Sequence, residues 1–264
     1  MTPVVATALD LPFGSTGDGV ELFLDLYTGD KPLIPARGFM LAPRTSPPDL
    51  PSGLQLLNVP STCLSGHLFK TYVHALREAL SERIDPSEVE IVHLQHLTFG
   101  GAPALIHALP THPRIALVHS VDLSYATSHP DQLAVLRETA HAVDAIVVPT
   151  DAMADRLVQL DPTINRRKIT KIPWGVPDHL LATPTPHPVR RPAGSLRLLY
   201  AGRLTPEKGV ESLLRAMTVL RSIELSIVAP RRQFHALTPL LRLLGVRVRY
   251  LGWLSRPQLW NAFA

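Results

Sequence analysis

Apolar and polar positions change period repeatedly along this chain, and the changes mark its elements. Pro3 to Leu9 is apolar-rich and predicts a first strand. Gly14 to Gly19 then reads as a glycine-containing loop, and Val20 to Tyr27 as a helix. Gly38–Ala42 and Leu54–Val59 predict short strands on either side of a proline-rich loop, APRTSPPDLPSG. From His67 to Ser81, Leu68, Phe69, Tyr72, Val73, Leu76 and Leu80 recur on one helical face. Glu90–His96 predicts a strand, Ala102–Leu109 a helix and Arg114–His119 another strand. A helix over Pro130–Val143, a strand over Ala145–Val148, a helix over Thr150–Leu160 and a strand over Lys168–Ile172 complete this half. Strands alternating with helices indicate a doubly wound α/β domain.

Thr183 to Gly194, TPTPHPVRRPAG, has no apolar pattern and is rich in proline, so it reads as an extended linker. The expected organisation is a first domain over residues 1–182, a linker over 183–195 and a second domain over 196–264. In the second, strands at 196–201, 224–229 and 246–251 alternate with helices at 207–220, at 233–244 and from Arg256. That makes three strands where a domain of this kind has roughly 100–150 residues, so the second domain reads as incomplete.

The stretch Leu196–Met217, LRLLYAGRLTPEKGVESLLRAM, carries the most chemistry. Its apolar opening predicts a strand buried on both faces. Gly202 breaks the run, Thr205 and Pro206 suit the N-cap and first position of a helix, and Val210, Leu213, Leu214 and Met217 follow at helical spacing. Arg203 and Lys208 are thereby held at a strand–helix turn, where parallel sheets bind ligands. A helix N-terminus with two cations favours a dianion such as a diphosphate. The plain alternative is a pair of solvated surface charges.

Composition narrows the classes. Of 264 residues, 45% are hydrophobic and 18% charged, which supports a packed core and excludes wholesale disorder. A net charge of +4 is too small to argue for nucleic acid. The single cysteine, Cys63, allows neither an internal disulfide nor a cysteine metal site and fits a reducing cytoplasm. The N-terminus has no signal-peptide pattern and no apolar run reaches membrane-spanning length, while contact with a membrane surface stays open.

Gly202-Arg203-x-x-x-x-Lys208-Gly209, between its strand and its helix, resembles the donor-phosphate motif of glycosyltransferase family 4. The resemblance implies the GT-B fold, two Rossmann-like doubly wound α/β domains. It implies transfer of a sugar from a nucleotide diphosphate sugar to an acceptor hydroxyl with retention, without metal or other cofactor. Arg203 and Lys208 would hold the diphosphate. His119, in Leu117-Val118-His119-Ser120-Val121-Asp122, resembles the family histidine beside the transferred sugar; a structural strand-end histidine is the alternative. The loop ending at Gly19 resembles the family's Gly-Gly loop, with Asp18 at the usual first glycine; an ordinary turn is the alternative. His93 is an acceptor-side candidate or a buried strand histidine. His93 and His96 are expected on opposite strand faces and so form no chelating pair.

Further departures are Trp174 where the family commonly has asparagine, and Pro230-Arg231-Arg232 where it has a glycine-rich turn. The family's Glu-x7-Glu motif falls beyond residue 264. A non-catalytic remnant or binding module of the same fold is therefore the second expectation.

Overall fold

A computed structural model describes residues 4–15, 18–43, 49–60, 62–175, 196–220 and 222–263. The expected linker over 183–195 lies outside them. The chain divides into two compact units at Trp174/Gly175.

The first unit is built on a seven-stranded, all-parallel sheet. Its strands are β1 Val5–Pro12, β2 Ala36–Leu41, β3 Leu54–Leu57, β4 Ile91–Leu94, β5 Arg114–Leu117, β6 Ala145–Val148 and β7 Ile169–Lys171, in the order β3-β2-β1-β4-β5-β6-β7. The order reverses direction between β1 and β4, the point at which a doubly wound sheet opens a crevice beyond its strand ends. β1 lies inside the sheet, between β2 and β4, and is buried on both faces. Ala6 and Ala8 join the main core, while Val5 and Leu9 join a second cluster. The second cluster is closed by Val20, Phe23 and Tyr27 of α1 (Asp18–Tyr27).

Four of the other helices of this unit are α2 Phe69–Ser81, α3 Gly101–Ala108, α5 Pro130–Ala142 and α6 Asp151–Leu160, each close to its expected bounds. In α2 the buried face is Phe69, Tyr72, Leu76, Ala79 and Leu80. Leu68 precedes the helix and stays exposed, contrary to expectation. The fifth, α4 (Ser120–Ser128), has no counterpart in the expected elements. Its buried residues are Asp122, Leu123 and Ala126, so a carboxylate occupies a core position and hides the helical period.

The second unit holds a three-stranded parallel sheet, with β8 Leu196–Ala201, β9 Ile223–Val228 and β10 Val248–Gly252 in the order β10-β9-β8. Its helices are α7 Val210–Met217, α8 Arg231–Leu244 and α9 Arg256–Ala262. Val210, Leu214 and Met217 pack on Leu225 and Ile227 of the central strand β9, as their spacing implied. β8, expected to be buried on both faces, is not. It lies at the edge of this sheet with Leu196 69% and Leu198 38% exposed, because among the described residues only β9 pairs with it.

Candidate functional site

In the first unit, side chains from the ends of β1, β4 and β5 meet where the strand order reverses. Asp122, on the first turn of α4, joins them. It is fully buried, and its carboxylate accepts hydrogen bonds from the Leu97 N–H at 3.1 Å, the Thr98 N–H at 3.0 Å and the Thr98 hydroxyl at 2.6 Å. Its other oxygen accepts the His119 N–H at 2.8 Å and pairs with His96 Nδ1 at 3.1 Å. One carboxylate thus ties the loop after β4 to the loop after β5. Burial alone would raise the Asp122 pKa, but the His96 charge and these hydrogen bonds outweigh it and hold the group below the ordinary carboxylate value. An ionised carboxylate only accepts, so His96 Nδ1 carries a proton. His96 Nε2 has no hydrogen-bond partner among the described residues.

Three histidines gather here with unlike charge states. Burial pulls the His96 pKa down, yet the carboxylates of Asp122 and Asp10 hold it above the ordinary value. His119 is lowered to about 4, by burial first and then by the charge on His96. His93 is lowered to about 4 as well, by burial and by His119. Its Nδ1 pairs with the Tyr27 hydroxyl, and burial pushes that phenol up to about 12. Near neutral pH, therefore, His119 and His93 are uncharged. β4 stops at Leu94, so strand alternation does not carry through to position 96. The His96 ring lies beside His119, while His93 packs against Tyr27. Among the described residues, no three His, Cys, Asp or Glu side chains are grouped as a metal site would require.

Rings continue the cluster. The His119 ring lies 4.8 Å from His96 and 5.4 Å from Trp174, centroid to centroid, inclined by 40° and 31°. Phe99 meets the His96 ring edge-on at 5.1 Å. Phe99 has φ 67°, a strained value for a bulky side chain, and its N–H donates to Gln132 Oε1 at 2.8 Å. Below it, Asp10 at the end of β1 accepts the Gly100 N–H at 2.9 Å and so caps α3. Burial raises the Asp10 pKa against the opposing pull of His96 and backbone hydrogen bonds.

Sequence reasoning had placed His119 and His93 in this region and had missed Asp10, His96 and Asp122 as its framework. The spacing His119-x-x-Asp122 was the available signal, since an acid three residues into a helix takes the N–H of its cap residue. Gly19 is placed differently. It is the second residue of α1 and not part of a loop, and a Cβ built on it meets nothing within 4 Å. Close packing within this chain therefore does not require glycine there.

In the second unit, Arg203 and Lys208 flank the turn between β8 and α7 and are both exposed. The turn differs from expectation. Pro206–Lys208 forms one 3-10 turn, and the α-helix starts only at Val210, after Gly209 at φ 70°. Thr205 therefore makes no capping hydrogen bond, and its buried hydroxyl has no hydrogen-bond partner among the described residues. The Arg203 carbonyl accepts from the Tyr200 hydroxyl at 2.6 Å, and the Leu204 N–H donates to Gln233 Oε1 at 2.7 Å. The second bond fastens this turn to α8. The start of α8 borders a cavity of about 500 Å3 lined by Arg231, Phe234, His235, Tyr250, Gly252 and Trp253. Phe234 and Tyr250 stack there at 4.0 Å.

Among solved structures, HepE of Anabaena, in complex with UDP and glucose, is similar over 97% of this chain and 71% of that one, at 15% identity and a TM-score of 0.67. The lipopolysaccharide outer core galactosyltransferase WaaB matches over 96% and 69%, at 15% identity and a TM-score of 0.59. A putative UDP-N-acetylglucosamine 2-epimerase from Listeria monocytogenes matches over 99% and 72%, at 12% identity and a TM-score of 0.58. At such identities the likeness establishes the GT-B fold and not the reaction. No curated protein sequence matches the chain. The family model for Glycosyltransferase Family 4 matches residues 39–180, more than half of the chain. With that match, the two-unit α/β fold and the strand-end residues described above, this chain is a member of Glycosyltransferase Family 4.

Proposed function

We infer that the chain transfers a sugar from a nucleoside diphosphate donor to an acceptor hydroxyl, with retention of configuration. The observation that carries this reading is the turn after β8, where the exposed cations Arg203 and Lys208 stand at the end of a parallel strand. The structural relatives lend support, since HepE is described in complex with UDP-glucose.

The chemistry follows from charge. As the bond from the sugar to the diphosphate breaks, its electron pair leaves with the diphosphate, and two fixed cations stabilise that charge without reorganising. In this reading they do the work a divalent ion would otherwise do. Retention needs the acceptor oxygen to arrive on the face the diphosphate leaves. There the departing phosphate oxygen takes the hydroxyl proton. The aromatic cavity beside Arg231 is suited to a nucleobase, with the Phe234–Tyr250 pair as its wall. An uncharged His119 suits a group beside a sugar that becomes electron-poor, because an imidazolium there would oppose the developing positive charge.

The test is incubation with a panel of UDP-, GDP- and ADP-hexoses and alkyl glycoside acceptors, with the anomeric configuration of the product read by NMR. The expected result is a product of the donor's configuration plus free nucleoside diphosphate. His119→Ala should lower turnover far more than donor affinity. An inverted product contradicts retention, and binding without transfer under all conditions favours the binding-module alternative.

A further inference from the structure

Trp174 is half exposed while its ring lies against His119, the most open histidine of the cluster. Its ring centroid is 5.4 Å from that of His119 with the planes inclined by 31°. His119 is flanked by His96 as well, at 4.8 Å. Trp174 thus offers an open ring surface beside the partly exposed His119. Among the described residues, Trp174 meets no ring other than His119.

Indole is the aromatic side chain with the strongest negative π-face. A pyranose ring presents a face of C–H hydrogens with slight positive charge, and such a face is the natural complement of indole. It is also the part of a sugar that gains most from leaving water. The polar edge of the same sugar then needs hydrogen-bonding partners close to the indole, and the uncharged His119 imidazole is the neighbour that supplies one. The backing is rigid. His119 is held by its N–H to Asp122, and Asp122 is held in turn by Leu97, Thr98 and His96.

Resting on the transferase reading above, we propose that the outer face of Trp174 is the platform on which a pyranose ring of the substrate stacks, with His119 as its polar partner. The platform distinguishes sugars by the apolar face they offer, and it is a feature of this chain, whose residue at this place is aromatic. The sugar can be the donor's or the acceptor's, and the experiment separates the two.

The full chain would be labelled with 5-fluorotryptophan. It contains three tryptophans, and Trp174→Phe identifies the Trp174 resonance by its loss. UDP-, GDP- and ADP-hexoses, the matching nucleoside diphosphates and the methyl pyranosides of glucose, galactose and mannose are then titrated in turn. A shift of the Trp174 resonance with a nucleotide sugar but not with its nucleoside diphosphate places the donor sugar on the platform. A shift with a methyl pyranoside places the acceptor there. Trp174→Phe should keep most of the pyranose affinity, and Trp174→Asn should lose at least tenfold at an unchanged melting temperature. If calorimetry shows a nucleotide sugar binding while the Trp174 resonance stays still with every sugar, the platform is wrong and the transferase reading survives. If no nucleotide sugar binds, the transferase reading fails, and the methyl pyranosides alone decide: a shift supports the platform and none overturns it.

Discussion

At the scale of residues, the histidine cluster makes stability depend on acidity in two separate ranges. His93 and His119 have folded pKa values of about 4, below the ordinary 6.5. Between these values the unfolded chain binds protons that the folded chain refuses, so stability falls as pH drops from 6.5 toward 4. The slope is roughly 1 kcal/mol per pH unit for His93 and less for His119, whose ring is partly open to solvent. His96 has the opposite sign. Its raised pKa contributes stability that is complete below 6.5 and is lost as pH rises through the folded value. Urea unfolding at pH 7, 6 and 5 should show the acid-side loss, and His93→Gln should flatten it. An unchanged slope in that variant would mean that His93 is charged in the fold. Little of this was legible in the sequence. His96 reads as the last residue of a strand and Asp122 as a neighbour of His119 in its motif, and only the return of the chain to one point, through the sheet order, makes them a buried pair.

At the scale of elements, most strands and helices follow directly from apolar periodicity, because strands between helices must be apolar on both faces. The failures have specific causes. α4 was missed because Asp122 holds one of its core positions. β8 promised burial on both faces, but a short apolar run records only capacity for burial, and here it stands at a sheet edge. The start of α7 moved to Val210 because Gly209 takes a left-handed conformation that the Thr-Pro signal does not reveal. The seam between α2 and α3 gives a test of packing. A Cβ on Gly100 would fall 2.6 Å from Cε1 of Tyr72 and 3.0 Å from Cδ1 of Leu76. Gly100→Ala should therefore force the helices apart and cost about 1–3 kcal/mol, the range for overpacking a core. A denaturation midpoint equal to that of the parent chain would show that Tyr72 can swing aside.

At the scale of the whole molecule, the two units contribute different halves of the proposed chemistry. The first brings uncharged imidazoles and an exposed indole; the second brings exposed cations and an aromatic cavity. The change of composition after residue 182 and the restart of strand–helix alternation set the expected division there, whereas the compact units part at Trp174/Gly175. The strand, glycine and spaced cations of the turn after β8 were legible as well, since they are local in the chain. The histidine side was legible only in the candidates His119 and His93, because the groups that hold them come from β1, β4 and α4, far apart in the chain. The central claim is that Arg203 and Lys208 hold a nucleoside diphosphate. Isothermal calorimetry with UDP, GDP and ADP on the parent chain, Arg203→Ala and Lys208→Ala tests it most directly, with circular dichroism confirming that each variant is folded. The expected result is binding of at least one diphosphate by the parent, weakened by about 1.5–3 kcal/mol in each variant, the range for charge-assisted hydrogen bonds. Equal affinity in parent and both variants, or no binding of any diphosphate, would contradict the account.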